Sequence, residues 1–83
     1  MHIKILDTVV LEKDIPKHGL RRGDIGAVVE VYEPEGVEVE FVTGAGTTQA
    51  LLTLSISDIR LIRGSEILAV RPLEAACCAL RKR

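Results

Sequence analysis

Residues 21–41 read RRGDIGAVVEVYEPEGVEVEF, and the fold turns on whether their glycines grip a phosphate or shape strands. A phosphate loop needs a longer glycine-rich run with a Lys-Ser/Thr pair feeding a helix, and a dinucleotide fingerprint needs glycines that open a helix. Here Gly23 and Gly26 lead into Ile25 to Glu33, a run dense in β-branched residues, so they open a strand. The strand stops at Glu33-Pro34-Glu35-Gly36. A proline, a glutamate and then a glycine predict a type I turn closed by a glycine bulge, with Gly36 left-handed. That turn sets Glu33 opposite Val37, Val31 opposite Val39 and Val29 opposite Phe41, which gathers the apolar residues on one face. On the other face Glu30 meets Glu40, and Glu38 lies beside Tyr32.

Working outward, Ile5 to Glu12 reads as a first strand. Residues 13–24, KDIPKHGLRRGD, carry Pro16, Gly19 and Gly23 and form a long loop. After the turn Thr43 to Gly46, the run TTQALLTL predicts a fourth strand with Ala50, Leu52 and Leu54 inward and Gln49, Leu51 and Thr53 outward. Ser55 to Asp58 suits a single helical turn, and Ile59 to Arg63 a fifth strand. Five short strands within residues 1–63 predict an all-β, five-stranded antiparallel barrel, because closure protects the sheet edges. Residues 64–83 form an extension. In it Leu73, Ala76, Cys77 and Leu80 recur at helical spacing, Pro72 suits a first turn and Arg81, Lys82 and Arg83 suit the C-terminal end of the dipole. This predicts a C-terminal amphipathic helix, while residues 65–70 fit a sixth strand or a linker. A helix this short is marginal without tertiary contacts, so Leu73, Cys77 and Leu80 are candidate contacts in a homodimer.

The 83 residues allow one domain. The chain is 47% hydrophobic with one Tyr, one Phe and no Trp, which describes a core of Val, Ile and Leu. A formal net charge of -1 removes the simplest argument for a nucleic-acid binder. No run approaches the length of a membrane span, and the N-terminus lacks the pattern of a signal peptide, so the expectation is a cytoplasmic protein that does not enter a membrane. Cys77 and Cys78 are neighbours and cannot close a loop as a disulfide, which fits a reducing compartment. His2, His18 and the cysteine pair lack metal-ligand spacing, and the glutamates lie on an exposed strand face where no general acid is tuned. No metal, cofactor or enzymatic activity is expected. A proline-peptide groove needs aromatic walls that this chain lacks.

The run HGLRRGDIGAVVEVYEPEGVEVEFV followed by ALLTLSISDIRLI resembles a small bacterial family of SH3-like barrels described as a domain of unknown function. Its members share His-Gly-Leu, Gly-Asp-x-Gly, Val-Glu-Phe and Ala-Leu-Leu-Thr-Leu segments. The resemblance covers roughly residues 3 to 63 and leaves out the tail. It implies a small stand-alone protein, in some members encoded beside toxin-like proteins, and hence a partner-binding, antitoxin-like or immunity role. The GDIGAVVEV pattern is also similar to that of barrels in RNA-binding ribosomal and transcription modules and in the nitrile hydratase beta subunit. In these the glycines and the aspartate shape a bend, with Asp24 accepting backbone N–H bonds and Gly26 admitting a close backbone.

Two functional readings follow. Glu30, Glu38 and Glu40, with Tyr32 and Leu51 at their border, form an acidic outer face, and like charges across a strand pair are unfavourable unless a cation relieves them. A basic partner protein supplies that cation, and so does an Arg60, Arg63 or Arg71 folding across from within the chain. The alternative is RNA or DNA binding through Lys13, Lys17, His18, Arg21 and Arg22 in the basic loop, which has charge but no aromatic residue for base stacking.

Overall fold

The computed structural model describes residues 2–73. Five strands, β1 (Thr8–Leu11), β2 (Ile25–Tyr32), β3 (Gly36–Val42), β4 (Thr48–Ser55) and β5 (Ile59–Leu61), form one antiparallel sheet in the order β4-β3-β2-β1-β5. Two 3-10 turns, Pro16–His18 and Ile56–Asp58, interrupt the connections.

The expected all-β class holds, but the closed barrel does not. β4 and β5 are the two ends of the sheet and do not pair with each other. The reason lies in the short link between them. Ser55 and Asp58 form a reciprocal cap around the second 3-10 turn, and the chain then crosses to pair Val9 with Leu61 and Leu11 with Ile59 on β1. The three residues of β5 are thereby matched to β1, and the outer side of β4 is left open. Leu54 of one end strand and Ile59 of the other still belong to one core cluster with Val9, Leu11, Val28, Val37, Val39 and Phe41, so the open sheet is strongly coiled. Ile3, Ile15 and Ile56 pack against this cluster from the loops.

The expected C-terminal helix is also corrected as far as the structure reaches. Among the described residues there is no α-helix, and 64–73 run without regular structure; Ala76, Cys77 and Leu80, and with them most of the predicted helix, lie outside the described residues. Pro72 and Leu73, its expected first turn, are not helical.

The central hairpin exists with a different register. A bulge between Val28 and Glu30 places Val28 opposite Val39, Glu30 opposite Glu38 and Val31 opposite Val37. Val29 is the extra residue, and the run Val28-Val29 is apolar at both positions, so alternation alone cannot show where the strand changes phase. The turn differs accordingly. Tyr32 pairs with Gly36, the Glu33–Pro34 peptide is cis, and Gly36 is not left-handed. A Cβ built on Gly36 meets its nearest neighbour, Tyr32 Cβ, at 3.6 Å, an ordinary contact, so the glycine bulge expected there is absent.

β1 begins at Thr8 rather than Ile5. Lys4 N donates to Asp7 Oδ2 at 2.8 Å and Asp7 N to Lys4 O at 3.0 Å, closing a turn. Within it Leu6 has φ 78° and is 80% exposed. A left-handed non-glycine residue costs roughly 1–2 kcal/mol, against about 0.4–1 kcal/mol for the added freedom of glycine in the unfolded chain. Leu6→Gly is therefore expected to leave the urea midpoint unchanged or slightly raised, and Leu6→Val to lower it. The opposite order of the two midpoints would count against strain at this turn.

Candidate acidic interaction face

The alternation of the strands divides the sheet into an apolar inner face and a polar outer one. Val37, Val39 and Phe41 of β3 are buried, so Glu38 and Glu40 between them project outward. Glu38 stands between Glu30 on β2 and Thr53 on β4, and Glu40 between Ala27 and Leu51. The structure thus brings together all five residues expected at the face. It places Glu30 against Glu38 instead of Glu40, which corrects the pairing while keeping two carboxylates directly across a strand pair. Leu51 and Tyr32 are exposed beside them.

Hydroxyls engage two of the three glutamates. Tyr32 Oη donates to Glu38 Oε1 at 2.9 Å, and Thr48 Oγ1 to Glu40 Oε2 at 2.5 Å. The hydrogen bond to Glu38 raises the Tyr32 pKa above the usual phenol range, with a lesser desolvation and the charges of Glu38 and Glu30 acting in the same direction. The Thr48 contact was not foreseen. Its only signal was a threonine at the start of the strand that flanks Glu40.

No ion pair among the described residues reaches this face. Arg60 pairs with Glu12 at 3.5 Å and with Glu66 at 2.6 Å, and Arg71 pairs with Asp24 at 2.5 Å. Two of the three arginines considered as internal counterions to the glutamates are directed elsewhere. Glu66 is held down to about 2 by its hydrogen bonds from Arg60 and from the Arg63 backbone.

The basic loop is organised differently from the expectation. Lys13 lies 3.4 Å from Asp58 and Arg22 3.5 Å from Glu12, so acidic neighbours already attend two of the five candidate phosphate contacts. Lys17 and His18 sit in the first 3-10 turn, and His18 O accepts a bond from Gln49 Nε2 at 3.0 Å. Arg21 N donates to Asp24 Oδ2 at 2.7 Å, the bend-forming role expected of Asp24. The larger role of Asp24 was missed. Arg71 Nε donates to its Oδ1 at 2.8 Å and Arg71 Nη2 to Gly19 O at 2.9 Å, which straps the tail to the loop. Burial pushes the Asp24 carboxyl up, but the bonds from Arg71 and from the Arg21 backbone outweigh it and hold it below the usual range.

Leu73, a candidate dimer contact, is half-buried beside Gly19 and Gln49 on its own domain and helps line an open groove with Phe41, Val42 and Leu68. Cys77 and Leu80 lie outside the described residues. Among the described residues there is no group of metal-ligating side chains and no helix long and apolar enough to cross a membrane. No curated protein and no solved structure matches the chain. The family model described as "Domain of unknown function (DUF4926)" matches residues 5–61, the whole sheet apart from the tail, and the chain belongs to that family.

Proposed function

We propose that this protein is a non-enzymatic binding module whose outer sheet face takes a basic surface of another protein. The observation that carries the proposal is the row of three outward carboxylates on β2 and β3, with Glu30 directly opposite Glu38 and no ion pair to any of them among the described residues. Like charges so placed destabilise the free protein slightly, and a cationic partner turns that cost into affinity and a faster encounter. Such a surface suits an inhibitor or immunity-type protein that masks a positively charged site on its partner. Its place of action is then the cytoplasm.

The test uses an oligoarginine peptide as probe. Tyr32 is the only tyrosine and the chain has no tryptophan, so intrinsic fluorescence reports from the face itself. Replacing Glu30, Glu38 and Glu40 together with Gln is expected to weaken binding about tenfold, at roughly 0.2–1 kcal/mol for each exposed pair, and to flatten the salt dependence. The fold should be retained or slightly stabilised. Equal affinity for the wild type and the triple variant would eliminate this face. Tight binding of a generic oligonucleotide with a steep salt slope, lost on replacing Lys17 and Arg21 with Gln, would instead assign function to the loop.

A further inference from the structure

The two ends of the sheet are treated very differently. β5 is three residues long, and its central Arg60 is held by Glu12 and Glu66 while Glu66 also receives the Arg63 backbone. A short, charged strand closed off by a turn is a protected edge. β4 has eight residues, TQALLTLS, with no charge and no proline, and among the described residues nothing pairs with its outer side.

The direction of its backbone groups follows from the ladder. Ile56 N donates to Glu35 O at 2.9 Å, in line with the β3–β4 register. Hydrogen-bonded pairs recur every second residue, so Ala50, Leu52 and Leu54 bond to β3 while Leu51, Thr53 and Ser55 turn their N–H and C=O groups to the open side. The cap agrees, since Ser55 N is directed to Asp58 Oδ2. Leu51 and Thr53 also carry the outward side chains. A strand added here sets the residues that bond to Leu51 and Thr53 on the acidic face, and the residues between them beside Ala50, Leu52 and Leu54 at the rim of the core.

We propose that β4 takes a partner strand in antiparallel register, a segment of alternating apolar and basic residues whose basic positions hydrogen-bond to Leu51 and Thr53. This rests on the acidic-face reading and specifies how the partner is held. The charge pattern selects the occupant. Glu38 and Glu40 lie one strand inward from β4, about 9.6 Å or two strand spacings from an added strand, a gap that a lysine leaning over Leu51 or Thr53 closes. A second copy of β4 would bring no cation to them.

The probe is an alternating Val-Lys peptide, which has no aromatic residue and leaves Tyr32 as the reporter. N-methylation of its lysines removes the N–H groups directed at β4 and is expected to weaken binding at least tenfold; N-methylation of its valines, which point away, should change it less than threefold. Thr53→Pro, which removes an outward N–H alone, should block the unmodified peptide in a chain shown by circular dichroism to be folded. If both methylated peptides bind as well as the parent while the Glu-to-Gln variant still weakens all three, strand addition is overturned and the acidic face stands. If the Glu-to-Gln variant changes nothing, both fall. A protein that sediments as a dimer and becomes a monomer on Thr53→Pro would assign the edge to a second copy and overturn the proposal.

Discussion

Gly26→Ala is expected to lower the stability of this protein by about 1–3 kcal/mol, read as a shift of the urea midpoint, and Gly26→Val to leave little folded chain. A Cβ at this position would stand 2.6 Å from Val39 Cγ1, 2.9 Å from Phe41 Cε1 and 3.1 Å from Glu40 O. The last of these is backbone and cannot swing aside. Gly26 is on the inner face, opposite Val9 on β1, so the new methyl group enters the core and not the solvent. A domain of this size has only a few kcal/mol in hand, which makes the alanine change a large one. Val39→Ala removes the nearest atom and is destabilising alone, since Val39 is fully buried. Combined with Gly26→Ala it should cost less than the sum of the two, a favourable coupling between residues in contact. Strict additivity, or an unshifted midpoint for Gly26→Ala, would show that the glycine of the GDIG segment has some use other than space.

That same segment shows what the sequence reveals and where it is silent. The order of the five strands, the inward set Ala50, Leu52 and Leu54, and the single helical turn at Ser55 to Asp58 are legible because period-two alternation and turn composition are local, whereas the strand ends are not: β1 spans Thr8–Leu11 against an expected Ile5 to Glu12, and β5 Ile59–Leu61 against Ile59 to Arg63. Nor is the register of the hairpin. Val28 and Val29 are both apolar, so a bulge between them changes the phase of β2 without leaving a mark in the pattern. The acidic face survived this error because Glu38 and Glu40 are fixed by β3, whose alternation is unbroken; only the identity of the partner across from Glu30 moved. A general need to protect edges argues for closure into a barrel, but whether two end strands meet depends on the length of β5 and the path after Asp58, which no local signal states. The tie from Arg71 to Asp24 spans 47 positions, and the sequence assigns Asp24 only to the bend and Arg71 only to the acidic face, so nothing local joins the two.

Breaking that tie is the second large effect expected. Arg71 and Asp24 have side chains only 25% and 18% exposed, and hydrogen bonds to charged groups contribute about 1.5–3 kcal/mol, so Arg71→Gln should destabilise the protein by about 1–2 kcal/mol near neutral pH once partial exposure is discounted. Asp24→Asn should do at least as much, since it also weakens the bond from Arg21 N that closes the bend. The pH dependence separates this from a general loss of packing. Asp24 titrates below its unfolded value, so its contribution is fully present above that value and is lost as pH falls through the folded one. Glu66, held at about 2 by Arg60, behaves in the same sense. Wild-type stability should therefore fall from about pH 4.5 down to about pH 2. Asp24→Asn should fall less steeply over that window, and the two curves should converge at its acid end. The family match ends at residue 61, yet Arg71 reaches back to a carboxylate inside it. If the Arg71→Gln and wild-type curves run parallel through the whole acid range, the tail is held by packing against Gly19 and Gln49 rather than by charge; if they converge, the ion pair is what fastens the tail to the sheet.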